Sequence, residues 1–125
     1  MEQKRILIID DNDQIREIMK LTLEYEGYKI LTAANGQDGL DLLGEPPRPG
    51  LILLDLMMPV MNGWEFIAEI NKDQDLKKIP VLVVSAYLES EDLEKSPVDC
   101  CGFLEKPVDM QLLNQQIALH YREVP

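Results

Sequence analysis

Short apolar runs punctuate this chain, and each is closed by polar or helix-breaking residues. Ile6-Leu7-Ile8-Ile9, Leu51-Ile52-Leu53-Leu54 and Val81-Leu82-Val83-Val84 show no alternation with polar residues. Runs of this length and kind mark strands buried on both faces of a parallel sheet. Lys29–Ala33 and Cys101–Leu104 are weaker strand candidates. Helical segments fall between them. Asn12 or Asp13 can cap a first helix with the apolar stripe Ile15, Ile18, Met19 and Leu23, ending at Gly27. A short helix is predicted from about Gly36 to Leu43, and another from about Trp64 to Lys72 with Trp64, Ile67 and Ile70 inward. Glu89 to Lys95 could make two helical turns before Ser96-Pro97 stops them. The last helix runs from about Met110 to Tyr121, with Leu113, Ile117 and Leu112 turned inward. Gly44–Gly50, with its three prolines, reads as a surface loop, and Met58–Gly63 as a second loop. Five strands alternating with five helices imply an α/β domain, a parallel sheet covered on both faces and joined by right-handed crossovers.

The 125 residues fit one domain over 1–125, with no repeat or low-complexity tract. The net charge of −11, from 23 acids and 12 bases, argues against direct nucleic-acid binding and against an anionic membrane surface. The longest apolar stretches are strand length, so no transmembrane helix is expected. The first strand begins too early to leave room for a signal peptide, and a cytoplasmic protein is the simplest expectation. Cys100 and Cys101 are neighbours, read as small buried hydrophobes rather than a disulfide or zinc ligands. His120 reads as a surface residue and Trp64 as a packing residue.

The chemistry gathers where strands end. Asp10 and Asp11 close the first strand, Asp55 the third and Ser85 the fourth, and Lys106 follows the fifth. In an open α/β sheet, ligands bind beyond the C-terminal strand ends, where strand order reverses. Three unneutralised carboxylates gathered there would repel one another, so the site calls for a cation.

That set and its order resemble the receiver domain of two-component response regulators. The likeness rests on Ile8-Ile9-Asp10-Asp11-Asn12, Leu53-Leu54-Asp55-Leu56-Met57-Met58-Pro59-Val60-Met61-Asn62-Gly63, Val84-Ser85-Ala86-Tyr87 and Phe103-Leu104-Glu105-Lys106-Pro107. It covers essentially the whole chain. It implies a flavodoxin-like (βα)5 doubly wound sandwich with strand order 2-1-3-4-5. It also implies a phosphoacceptor that assists its own phosphorylation and dephosphorylation, rather than an enzyme with a separate substrate. Asp55 would attack phosphorus and become an acyl phosphate. Mg²⁺ would sit on Asp10, Asp11, Asp55 and the backbone carbonyl of Met57. Lys106, before a proline bond that is usually cis in the family, would place its charge on a phosphoryl oxygen. Ser85 would be the switch hydroxyl, Ala86 would leave the donor room, and Phe103 would be the aromatic that rotates inward when the hydroxyl moves.

The implied partners are a histidine kinase or histidine phosphotransfer protein as donor, and a downstream protein target. The target would meet the face made by the fourth helix, the fifth strand and the last helix. The stretch Glu94–Gly102 departs from the family pattern, and Pro97 should shorten or distort that fourth helix. The oligomeric state is left between a monomer and a phosphorylation-dependent homodimer. With the chain ending at Pro125, a stand-alone receiver is the leading expectation. A receiver cut from a larger regulator or hybrid kinase, and a phosphorylation-independent scaffold, are the alternatives. An aspartate-nucleophile phosphatase is disfavoured because Asp55-Leu56-Met57 lacks a second acid and no cap domain fits. A nucleotide or flavin site is disfavoured because the first strand–helix turn holds acids and no glycine.

Overall fold

A computed structural model describes residues 3–86 and 100–123. Among them lie the strands β1 (Arg5–Ile9), β2 (Lys29–Ala33), β3 (Leu51–Leu54), β4 (Val81–Ser85) and β5 (Gly102–Glu105). The helices are α1 (Asp13–Tyr25), α2 (Gly36–Leu42), α3 (Gly63–Ile70) and a C-terminal helix (Met110–His120). The strands form one parallel sheet in the order β2-β1-β3-β4-β5, as the resemblance implied. The predicted helix over Glu89–Lys95 and the Tyr87 and Ser96-Pro97 positions fall outside the described residues.

Both faces of the sheet are covered, which is why the central strands carry unbroken apolar runs. Leu7, Ile9, Ile52, Leu54, Val81 and Val83 pack with Leu43 and with Phe66, Ile67 and Ile70 of α3. On the other face Ile6, Ile8, Leu51, Leu53, Leu82 and Val84 pack with Met19 and Leu23 of α1 and Leu113 and Ile117 of the C-terminal helix. Fully burying one such side chain is worth roughly 1.5–3 kcal/mol.

Polar side chains set the helix starts. Asn12, rather than Asp13, caps α1, its Oδ1 accepting from the Ile15 N–H at 2.9 Å. Asn62 and Glu65 form a reciprocal capping box on α3. At the other end of α1, Gly27 adopts a φ of 101°, so the chain reverses into β2.

Several expected inward positions face out. Ile18 is exposed because Ile15, Met19 and Leu23 already define the buried line of α1, and Ile18 lies beside that line. Leu112 is exposed, one position off the Leu113–Ile117 face of its helix. Trp64 is only half-buried, and Phe66 fills the α3 core position instead. Cys100 and Cys101 are half-buried, each packed at the edge of a different core. Burial pushes the Cys101 thiol up to about 11, with Cys100 adding to the effect, so this sulfur is a packing group rather than a nucleophile. The loop after α2 is exposed over residues 44–47, but Pro49 and Gly50 are buried where it meets the sheet. There Tyr121 closes the end of the molecule remote from Asp10 and Asp55: its hydroxyl accepts from the Arg5 N–H at 2.9 Å while its ring lies against Gly50.

Candidate functional site

Strand register alone brings the predicted site together. Ile9 pairs with Ala33 and with Leu54, and Leu54 pairs with Val83. The residues just past these pairs continue the ladder. Asp10 N–H donates to the Ala33 carbonyl, Asp55 N–H to the Ile9 carbonyl and Lys106 N–H to the Ser85 carbonyl. The site therefore stands over β1 and β3, where the strand order reverses.

Asp10, Asp55 and Ser85 are buried, whereas Asp11 is exposed at the rim. One carboxylate oxygen from each of Asp10, Asp11 and Asp55 lies within 4.8 Å of the others. Hard oxygen donors from several carboxylates at one solvent-reachable edge suit a small divalent cation that keeps part of its water shell. Lys106 Nζ bridges Asp10 Oδ2 at 2.6 Å and Asp55 Oδ2 at 3.2 Å. The other oxygen of Asp55 accepts from the Ser85 hydroxyl at 3.2 Å and from the Met57 N–H at 3.2 Å. Met57 thus reaches the site through its backbone, its side chain turned to solvent. The Lys106–Pro107 bond is cis.

The electrostatics are asymmetric. Burial raises the Asp55 carboxyl above its ordinary value of 3.8; Lys106 and the Met57 N–H oppose the rise, and Asp10 adds to it. For Lys106, burial works against the ammonium, but the hydrogen bond and charge of Asp10, then those of Asp55, outweigh it and raise the lysine above 10.5. Both partners move upward because the lysine's shorter bond goes to Asp10. Asp55 receives the weaker share of that charge while bearing the desolvation.

Two predicted residues stand outside this cluster. Phe103 lies on β5 with 37% of its surface exposed. Ala86 is exposed, directly after Ser85. His120 is half-buried near the start of β5, at the opposite end of the sheet, and contacts Gln116. Arg16 escaped the sequence reading. Its guanidinium donates to the Asp10 carbonyl at 2.7 Å and to Asp13 at 2.6 Å. Its signal was an arginine one turn past an acidic strand end, on a helix that Asn12 starts.

A family profile described as the response regulator receiver domain matches residues 6–118. The chain belongs to that family. Receiver domains are the signalling modules of two-component systems, and this receiver resembles both short and long regulators. It is 36% identical over 116 residues to the transcriptional regulatory protein AfsQ1 of Streptomyces coelicolor, covering 90% of this chain and 48% of that protein. It is 35% identical over 116 residues to protein PilH of Pseudomonas aeruginosa, covering 90% of this chain and 93% of PilH. The receiver thus spans about half the length of AfsQ1 and nearly all of PilH. Among solved structures it resembles the response regulator TrrA of Thermotoga maritima in complex with Mg²⁺–BeF, with a TM-score of 0.81, 30% identity, and 94% and 98% of the two chains covered. No helix among the described residues is long and apolar enough to cross a membrane.

Proposed function

We propose that residues 1–125 form a single receiver that accepts a phosphoryl group on Asp55 and signals through altered protein contacts. The observation that carries this reading is the shared engagement of Asp55: Lys106 on one oxygen, Ser85 and the Met57 N–H on the other. A carboxylate oxygen of Asp55 forms the new bond to phosphorus as the phosphorus–nitrogen bond of a phosphohistidine donor breaks, and the donor imidazole leaves with that electron pair. Phosphoryl transfer passes through a loose transition state, so positioning and charge dominate over acid–base chemistry.

Asp10, Asp11, Asp55 and the Met57 carbonyl are the residues that would hold Mg²⁺, and the carboxylate clustering supports the first three. Bound there, the ion would supply charge neutralisation to the phosphoryl oxygens. The Mg²⁺–BeF complex of TrrA supports Mg²⁺ as the ion by similarity. Lys106 brings its ammonium to a phosphoryl oxygen. Ser85 transfers its hydrogen bond from the Asp55 carboxylate to the phosphoryl group, and Phe103 turns inward from its exposed position. Such a pair of states, biased by one bound group, makes a switch.

The donor is a histidine kinase or a histidine phosphotransfer protein, and the readout is a protein target met through the 87–99 segment, β5 and the C-terminal helix. A cytoplasmic location follows from that donor class. Intact mass after incubation with acetyl phosphate, with and without Mg²⁺, tests the reading. One Mg²⁺-dependent phosphoryl adduct on wild-type protein, absent from Asp55→Asn, is the expected result. Label retained by Asp55→Asn would move the acceptor elsewhere. No adduct, together with no Mg²⁺-dependent beryllofluoride binding, would favour a phosphorylation-independent scaffold.

A further inference from the structure

Asp10 has a partner at each of its polar groups. Its N–H donates to the Ala33 carbonyl at 3.1 Å, Oδ1 accepts from the Asn12 N–H at 2.8 Å, and Oδ2 accepts from Lys106 at 2.6 Å. Its carbonyl accepts from Arg16 Nη1 at 2.7 Å. That last bond differs in kind, because the carbonyl belongs to the peptide unit that also contains the Asp11 nitrogen. A peptide unit is planar, so a fixed oxygen fixes the direction in which the next residue leaves. Asp11 itself is exposed, and among the described residues its side chain makes no hydrogen bond or ion pair. The orientation of its carboxylate therefore depends on the plane that Arg16 grips.

The guanidinium is suited to this work. Its second nitrogen is bonded to Asp13 Oδ1 at 2.6 Å, and the Arg16 side chain is only 20% exposed. A planar, rigid fork held at two points gives little room for the carbonyl to swing, and a charged donor makes the stronger kind of hydrogen bond. The bland alternative is an ordinary ion pair three residues apart at the start of α1. Asp13 is 86% exposed, and pairs of that sort contribute little. On that alternative Arg16 has no bearing on the acidic site.

We propose that Arg16 is a positioning residue: it locks the Asp10–Asp11 peptide plane so that the two carboxylates face the cation together. This inference rests on the metal reading given above. Partners that orient metal ligands typically matter about 10- to 100-fold in affinity.

The test compares Arg16→Met, Arg16→Lys and Asp13→Ala with wild-type protein. Calorimetry of the metal-free proteins gives the Mg²⁺ affinity, and intact mass gives the rate of labelling by acetyl phosphate. Arg16→Met should bind Mg²⁺ about tenfold more weakly. Arg16→Lys, which can donate to the Asp10 carbonyl as a single point, should recover part of the loss. Asp13→Ala, which releases one of the two points holding the guanidinium but leaves the bond to the Asp10 carbonyl, should lose less than Arg16→Met, and a loss as large as that of Arg16→Met overturns the inference. At saturating Mg²⁺ the Arg16→Met labelling rate should recover most of the way to wild type. Folded Arg16→Met with wild-type Mg²⁺ affinity overturns the inference, and so does Arg16→Lys as weak as Arg16→Met. Wild-type protein that binds no Mg²⁺ overturns the metal reading and this inference with it. Wild-type protein that binds while Arg16→Met binds equally well overturns this inference alone.

Discussion

Lys106 holds Asp10 more closely than it holds Asp55, at 2.6 Å against 3.2 Å, through an ammonium almost withdrawn from solvent. The lysine thus occupies oxygens proposed as metal ligands. A divalent ion entering the site must weaken these contacts and also meets the repulsion of the lysine charge. Both effects have one sign. Lys106→Met should bind Mg²⁺ several-fold more tightly than wild type in calorimetric titration, yet lose the conformational response to phosphorylation. Unchanged or weaker binding would show that the lysine does not stand against the ion.

Asp55 gives a prediction for pH. Its folded value lies above 3.8 because burial dominates, so the fold favours the neutral acid. The stability this supplies is fully present below the unfolded value and is lost as pH rises through the folded value. Without metal, Asp55→Asn should therefore be more stable than wild type at pH 7, and the two should converge below about pH 3.8. Urea unfolding across pH reads the difference. A mutant less stable at pH 7 would mean that the Lys106 contact outweighs desolvation. The same titration predicts that Mg²⁺ affinity falls on acidification before an ordinary carboxylate would protonate.

Val60 has a φ of 69°, and the Met61 N–H donates across it to the Pro59 carbonyl at 2.7 Å. A β-branched residue is poorly suited to this left-handed turn, and the exposed side chain offers no packing in return. Val60→Gly should raise stability by about 1 kcal/mol, visible in the midpoint of urea unfolding. A lower midpoint would show that chain entropy in the unfolded state wins.

Gly63 begins α3 against the end of β3. A Cβ there would lie 2.7 Å from the Asp55 carbonyl and from the Leu56 Cα, both backbone atoms. Gly63→Ala should destabilise the fold by about 1–3 kcal/mol and slow phosphorylation of Asp55. Wild-type stability with wild-type labelling would mean that the loop yields at no cost.

The sequence announced most of this architecture, for a physical reason. Strands buried on both faces must be apolar throughout, so β1, β3 and β4 stood out, and register then carried Asp10, Asp55 and Ser85 to one edge. What it hid depends on direction rather than on residue type. Ile18 and Leu112 are as apolar as their buried neighbours, and only the helix orientation against the sheet turns them outward. Phe66 was overlooked beside the larger Trp64 for the same reason. The short 3-10 helix Leu76–Lys78 has no periodicity long enough to register. Arg16 was passed over because its bond into the site goes to a main-chain carbonyl, so only its place one turn past an acidic strand end pointed to it.

The close seat of Gly63 on the end of β3 also bears on how this chain can diversify. The Gly63 N–H donates to the Leu56 carbonyl at 2.9 Å, so the loop from Leu56 to Gly63 is pinned shut at its base. Insertions near that base would displace Asp55 itself. Its tip at Val60 lies in solvent, where the side chain is limited only by the left-handed backbone. Sequence drift in this loop is thereby confined to a few tip positions, while Asp55, next to the closure at Leu56, is held in place.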